Sequence, residues 1–208
     1  MQIEFYGANC VRVKTKSTSI VFDDNLEQLG AKPVTSNDDS LCNTNSDIVK
    51  ASAKAARTFF MPGDYEVGDV MITGIAAQAH VDEKGTTKAT IYRGITPEFK
   101  FVVVGHIAPE LSEPQLEAIG VVDILFVPVG GNGYTLDAVA AAKIAKQVGA
   151  KLVVPTHFED SSLKYEVPQS PRDEFVKILG LETKKVEGNV LKLKRSDIAE
   201  KAETVLFH

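Results

Sequence analysis

Three histidines, His80, His106 and His157, are the side chains best suited to chemistry in this 208-residue chain; the fourth, His208, is its last residue. A catalytic zinc takes three protein ligands and keeps one position open for water. Three imidazoles can supply that set. The bound water would then titrate at about 7 and become a nucleophile at neutral pH. The cofactor this implies is one zinc or another divalent transition metal, with no cofactor as the equal alternative. In that alternative each ring is hydrogen-bonded to a neighbour and binds nothing, a common state for a partly buried histidine.

Other polar groups carry the same two readings. The run Gly130-Gly131-Asn132-Gly133 leads into a helix, so the N–H groups of Gly130, Gly131 and Asn132 form a candidate anion site. The competing reading is a tight strand-to-helix turn that needs positive φ, and the spacing matches neither the P-loop nor the dinucleotide fingerprint. Asp64 and Glu66 are acid/base candidates or solvated charges beside the Pro62-Gly63 turn. Asp23 and Asp24 either support a metal site indirectly or cap a strand end. Cys10 and Cys42 are too few for a disulfide framework and read as a core residue and a loop residue.

The elements that must position these groups fall into two halves. Ile3–Tyr6, Val11–Lys14 and Ser19–Phe22 are short, β-branched or aromatic runs that predict strands. Thr35–Ser46 is polar and turn-rich and predicts a surface loop, and Asp47–Ala56 predicts a short helix. Arg57–Phe60, Val70–Thr73 and Ala89–Tyr92 predict further strands, with a charged turn over Val81–Thr87. Beyond residue 100 the pattern becomes an α/β alternation. Phe101–Val104, Ile124–Val127 and Leu152–Val154 are continuous apolar runs, as expected of strands covered on both faces. Ser112-Glu-Pro-Gln115 has the form of a capping box, a second helix spans Asp137–Val148 and stops at Gly149, and a third runs from Ser170 to before Gly180. Val190–Leu193 predicts a final strand. Each apolar run leads into a loop with candidate groups: Gly105-His106, Pro128-Val-Gly-Gly131 and Pro155-Thr-His157. Loops at the ends of buried strands can meet in one cleft.

Several of these segments resemble a known family. Leu111-Ser-Glu-Pro-Gln-Leu-Glu-Ala-Ile-Gly120, Val122-Asp-Ile-Leu-Phe-Val-Pro-Val-Gly-Gly131, Tyr134-Thr-Leu-Asp137, Lys151-Leu-Val-Val-Pro-Thr-His-Phe158, Pro62-Gly-Asp-Tyr-Glu-Val67 and Tyr6-Gly-Ala-Asn-Cys10 are similar, in order and spacing, to metallo-β-lactamase-fold hydrolases of the ascorbate-phosphate lactonase-like branch. The resemblance covers most of residues 1–165. It implies an α/β (α+β) protein with a four-layer αββα arrangement, two mixed β-sheets between outer helices, and a metal cleft along one edge. It also implies a hydrolytic ancestry against lactones, phosphoesters or related bonds. Members carry an H-x-H-x-D-H motif for two zincs, but this chain has no histidine before His80. The resemblance places His80 at the first metal site and His157 at the second. Where the family has its bridging aspartate, this chain has His106. An imidazole cannot bridge two cations about 3.5–4 Å apart as a carboxylate does, so at most one metal is expected.

Size and composition suit one domain over residues 1–208, with 44% hydrophobic and 25% charged residues. A net charge of −5 without a basic cluster predicts no nucleic-acid partner. Neither a signal peptide nor a membrane span is predicted, and a cytoplasmic protein is the expectation. Two functions follow: a non-catalytic scaffold binding a small anionic ligand or a protein partner, with homo-oligomerisation open, or a hydrolase with a remodelled single-metal site of His80, His106 and His157.

Overall fold

The computed structural model describes residues 1–45, 47, 54–83 and 85–208. Its elements in order are β1 (Gln2–Phe5), β2 (Val11–Lys14), β3 (Ser19–Phe22), β4 (Ser40–Cys42), β5 (Arg57–Phe59), β6 (Gly63–Val67), β7 (Val70–Ala77), β8 (Ala89–Ile95), β9 (Lys100–Val103), α1 (Glu113–Ile119), β10 (Ile124–Pro128), α2 (Ala138–Val148), β11 (Leu152–Thr156), α3 (Asp173–Leu179), β12 (Glu182–Val186), β13 (Val190–Lys192) and β14 (Glu203–Phe207). They form two mixed sheets. The first has the order β13-β1-β2-β3-β4-β5 and the second β12-β14-β11-β10-β9-β8-β7-β6.

Side-chain alternation explains how the sheets stack. In β1, β2 and β3, Ile3, Phe5, Val11, Val13, Ile20 and Phe22 point inward, and they meet Phe101, Val103, Phe126, Val154, Val205 and Phe207 from the second sheet. The intervening residues Val102, Leu125, Val127 and Val153 face the other way, under α1, α2 and α3. Both faces of β9, β10 and β11 are therefore dry, which is why these strands read as unbroken apolar runs. On the outer face of the first sheet, Leu26, Leu29 and Leu163 cover Cys10, Val21 and Leu41.

Helices α1 and α2 start and stop where the sequence predicts, and α3 stops at Gly180 as expected but begins at Asp173, inside the predicted span. At α1, Ser112 accepts from the Gln115 N–H, and the Gln115 side chain accepts in return from the Ser112 N–H. Ser112→Ala removes one half of this box and should cost about 1 kcal/mol in urea denaturation; no measurable loss would mean that packing alone fixes the helix start.

Three expectations change. The predicted surface loop Thr35–Ser46 contains β4, and Thr35, Asp39, Ser40, Asn43, Thr44 and Asn45 are buried. Their polarity is absorbed by hydrogen bonds: Asp24 accepts from the Val34 and Thr35 N–H groups, and Asp39 accepts from Ser19 and Ser36. Gly63–Val67, read as part of a turn, is the edge strand β6, with Asp64 and Glu66 exposed on it. Val190–Lys192 is not the last strand: β14 inserts between β11 and β12. The predicted helix Asp47–Ala56 falls mainly on residues 48–53, outside the described residues. Among the described residues no helix is long and apolar enough to cross a membrane.

The segment between β3 and β4 is fixed from below by Arg12, a buried guanidinium on β2. It pairs with Glu4 at 3.0 Å and Asp39 at 3.0 Å and donates to the Val34 carbonyl. Burial alone would raise the Glu4 carboxyl, but hydrogen bonds from Tyr6, Lys14, Arg12 and Gln2 outweigh it and hold its pKa at about 2.

Candidate functional site

Strand ends build the site. β9, β10 and β11 are parallel and in register, so the loops that follow them open on one side of the molecule. His106 follows β9, Gly130–Gly133 follows β10, and His157 follows β11. His106 and His157 are buried and stack edge to face, with ring centroids 5.0 Å apart. Tyr134 and Tyr165 flank the pair, 5.8 and 5.1 Å from the His157 ring. His80 sits alongside, half-buried, and its N–H donates to the His106 carbonyl at 3.2 Å. Beside them lies a cleft of about 490 Å³ whose walls include Asn25, Tyr134, His157, Tyr165, Glu166 and Gln169.

The backbone is strained here. Among the described residues four other than glycine have positive φ, Ala8, Asp23, Asn132 and His157, and all lie in loops that follow strands of the two sheets. Such conformations cost on the order of 1 kcal/mol each and concentrate at functional sites. Ala8 and His157 support one another, because the His157 N–H donates to the Ala8 carbonyl at 2.7 Å. Gly105, at φ +60°, is required for a further reason: a Cβ there would lie 2.1 Å from the Thr44 hydroxyl. That contact brings the end of β4 against His106. Thr44 in turn donates its N–H and its hydroxyl to Asp23, each at 2.6 Å.

Two amides orient the histidines. Gln169 donates its Nε2 to the Val167 carbonyl at 2.7 Å, which turns its Oε1 toward His157 Nδ1 at 3.1 Å. Nδ1 must therefore carry the proton, and His157 Nε2 is left as an acceptor. On the other ring, Asn9 Oδ1 accepts the Thr156 hydroxyl at 2.7 Å, and Asn9 Nδ2 lies 3.3 Å from His106 Nδ1. Here the amide donates, so His106 holds its proton on Nε2, a buried nitrogen without a hydrogen-bond partner. The two rings are thus fixed in opposite tautomers.

Both are neutral at ordinary pH. Burial pushes His106 well below 6.5, and the neighbouring His157 and His80 push it further. Burial also brings His157 down to about 4, against the hydrogen bond that its Nδ1 donates to Gln169. A lowered histidine pKa contributes stability that is present above about 6.5 and is lost as pH falls through the folded value. Asp23 acts in the opposite sense: burial raises it from 3.8 to about 7 against the Thr44 hydrogen bonds, so its ionisation destabilises as pH rises through that range. With two histidines against one carboxyl, urea denaturation should show lower stability at pH 5 than at pH 7. His106→Gln should shrink that difference; an unchanged difference would contradict the assignment.

The residues can be tested against a metal. A ligating histidine presents one nitrogen to the ion and donates its other N–H to an acceptor. His157 has that arrangement through Gln169. His106 has the reverse, with an amide donor on Nδ1 and a proton on Nε2. Among the described residues no group of three or more His, Cys, Asp or Glu side chains is placed to hold a metal ion. The donor set does not fit the two-metal centre, and it meets a single metal only halfway. Of the other candidates, Asp64 and Glu66 lie exposed on an edge strand, and Asp23 is buried under Thr44. Cys10 and Cys42 are both buried free thiols, so Cys42 is a core residue rather than the loop residue expected. In the glycine loop, the Gly131 N–H donates to the Leu136 carbonyl at 2.9 Å, which closes the turn, and the Asn132 side-chain Nδ2 donates to the Pro168 carbonyl, which ties the loop to that segment.

The amide partners Asn9 and Gln169, and the ring Tyr165, were not singled out from the sequence. Their one signal is position: Asn9 follows the first strand and Gln169 precedes the third helix, both at the end where the histidines emerge.

Two mixed sheets packed face to face, with polar groups gathered where the strands end, define a metallo-β-lactamase-type domain. The chain belongs to that superfamily: the family model described as beta-lactamase superfamily domain matches residues 2–157. Among solved structures it is similar to a proposed Zn-dependent hydrolase of the metallo-beta-lactamase superfamily from Thermotoga maritima, at 25% identity and a TM-score of 0.76 over 100% of this chain and 98% of that one. It is also similar to Igni18, a metallo hydrolase from Ignicoccus hospitalis, at 14% identity and TM-score 0.59 over 86% and 90%. A third is CmlA, a diiron β-hydroxylase from Streptomyces venezuelae, at 12% and 0.59 over 99% and 52%. At those identities the last two speak for the fold alone. Comparison with curated proteins found no match.

Proposed function

We propose that this chain is a cytoplasmic, non-catalytic member of its superfamily that has lost the dinuclear zinc site and uses the cleft beside it to bind a small ligand. The carrying observation is the Asn9–His106 contact. It directs the Nδ1 lone pair of a ring that burial keeps neutral, at the family's bridging-ligand position, toward an amide donor. The absence of any histidine before His80 supports the same reading, because two metals need those ligands. A cleft walled by tyrosines and the neutral His157 ring, with His106 packed behind it, is a preorganised recognition surface.

One observation favours the second reading, a metal-dependent hydrolase with a single metal on His80, His106 and His157. His80 Nδ1 and His106 Nε2 are both buried without partners, and a metal would satisfy such atoms once His106 changed tautomer. Elemental analysis separates the two. Tag-free protein is purified without chelator, offered zinc, manganese or iron, and compared with His106→Ala. The scaffold reading expects well below one metal per chain in both proteins. Near-stoichiometric metal that disappears in the variant would overturn it.

A further inference from the structure

We propose that the cleft takes a small protonated amine, a cation carrying N–H donors, rather than the anion that the glycine loop suggests; this rests on the scaffold reading above. Three residues of the lining, Asn25, His157 and Glu166, offer acceptors. Asn25 is 6% exposed, lines the cleft, and has a buried Oδ1 with no hydrogen-bond partner. A buried carbonyl oxygen left unpaired is costly and calls for a donor. His157 lines the same cleft, and the Gln169 contact on Nδ1 leaves its Nε2 a second acceptor. At the mouth, Glu166 forms no ion pair with any described residue, and Tyr134 feels its charge.

The other walls agree. Among the described residues that line the cleft none is Lys or Arg, so an anion would meet a carboxylate and carbonyl oxygens with no compensating charge. The second carboxylate of the lining, Asp47, is paired with Lys88 at 3.3 Å, which leaves Glu166 as the lining charge without an ion pair among the described residues. Tyr134 and Tyr165 flank the His157 ring and offer π-faces, which attract cations. An ammonium group satisfies all three features together: its charge meets Glu166, its N–H groups meet Asn25 Oδ1 and His157 Nε2, and its carbon chain meets the rings. A quaternary ammonium has the charge but no hydrogen to donate, and a neutral polyol has the donors without the charge.

The test is calorimetric titration of the full chain near pH 7 with putrescine, tetramethylammonium, glycerol, inorganic phosphate and zinc as separate probes. Putrescine should bind saturably at one site and more tightly than tetramethylammonium or glycerol. Glu166→Gln, a change at an exposed residue that leaves the core untouched, should weaken it about tenfold or more, the scale of a lost charge-assisted bond. Phosphate binding without putrescine binding overturns the ligand class, as does no putrescine binding at all. Equal binding of tetramethylammonium overturns the role given to the N–H donors. Stoichiometric zinc binding that is lost in His157→Ala overturns the scaffold reading instead, so the two failures are distinguishable.

Discussion

Arg12→Ala should destabilise the protein by about 3–5 kcal/mol, the range for removing one partner from a buried ion pair. Glu4 and Asp39 have side chains only 6% and 4% exposed, so the truncation leaves two carboxylates with little water and without the guanidinium that paired them, Lys14 remaining at the Glu4 edge. The damage also spreads. Arg12 donates to the Val34 carbonyl and through Asp39 holds Ser36, so it anchors the segment between β3 and β4 that supplies Asn25 to the cleft. The sign of the pH dependence follows from the carboxylates. In the native protein Glu4 and Asp39 are held below their ordinary values, and that stability is lost as pH falls through the folded pKa. In the variant the unpaired groups can escape by protonating. The loss measured by urea denaturation should therefore be smaller at pH 4 than at pH 7. A loss under about 1 kcal/mol, or one independent of pH, would mean that the network behaves as an exposed one.

Gly130→Ala is the second large effect. A Cβ at this position would lie 2.2 Å from the His157 carbonyl oxygen and 2.3 Å from Gln169 Oε1. The first of these is backbone, so the chain itself must shift, at a cost of about 3 kcal/mol on the scale of overpacked sites. The shift falls on the residue pair that orients the His157 ring. Gly133→Ala is the matched comparison. It has φ +75° but nothing within 4 Å of the added carbon, so only the left-handed backbone strain applies, about 1 kcal/mol. Thermal denaturation of the two variants should separate them clearly; equal losses would mean that the approach of His157 to Gly130 costs no more than the left-handed strain at Gly133.

How far the sequence reached depends on where burial came from. β9, β10 and β11 are covered on both faces by other elements, so their apolar runs announced them and located His106 and His157 at their ends. β12, with the sequence Glu-Thr-Lys-Lys-Val, is an edge strand, and lysine on an edge blocks further pairing while disguising the strand as a loop. β14, with the sequence Glu-Thr-Val-Leu-Phe, takes its place by inserting between β11 and β12, a pairing that its local pattern does not announce. β4 was hidden by buried polar residues whose partners, Asp24 and Asp39, become visible only once the chain has folded around Arg12. The same limit applied to the site. Three histidines could be counted in advance, whereas the partner that sets each ring's proton lies 97 residues from His106 and 12 from His157.

That protonation pattern is the most direct test of the claim that this cleft is a metal-free recognition site. Long-range proton–nitrogen correlation spectra of nitrogen-15-labelled protein near pH 7, recorded before and after one equivalent of zinc, resolve each imidazole nitrogen. We expect His157 protonated on Nδ1, His106 protonated on Nε2, and neither signal moved by zinc. A His106 Nε2 that has lost its proton and shifts on adding zinc would contradict the scaffold and restore a metal centre to this cleft.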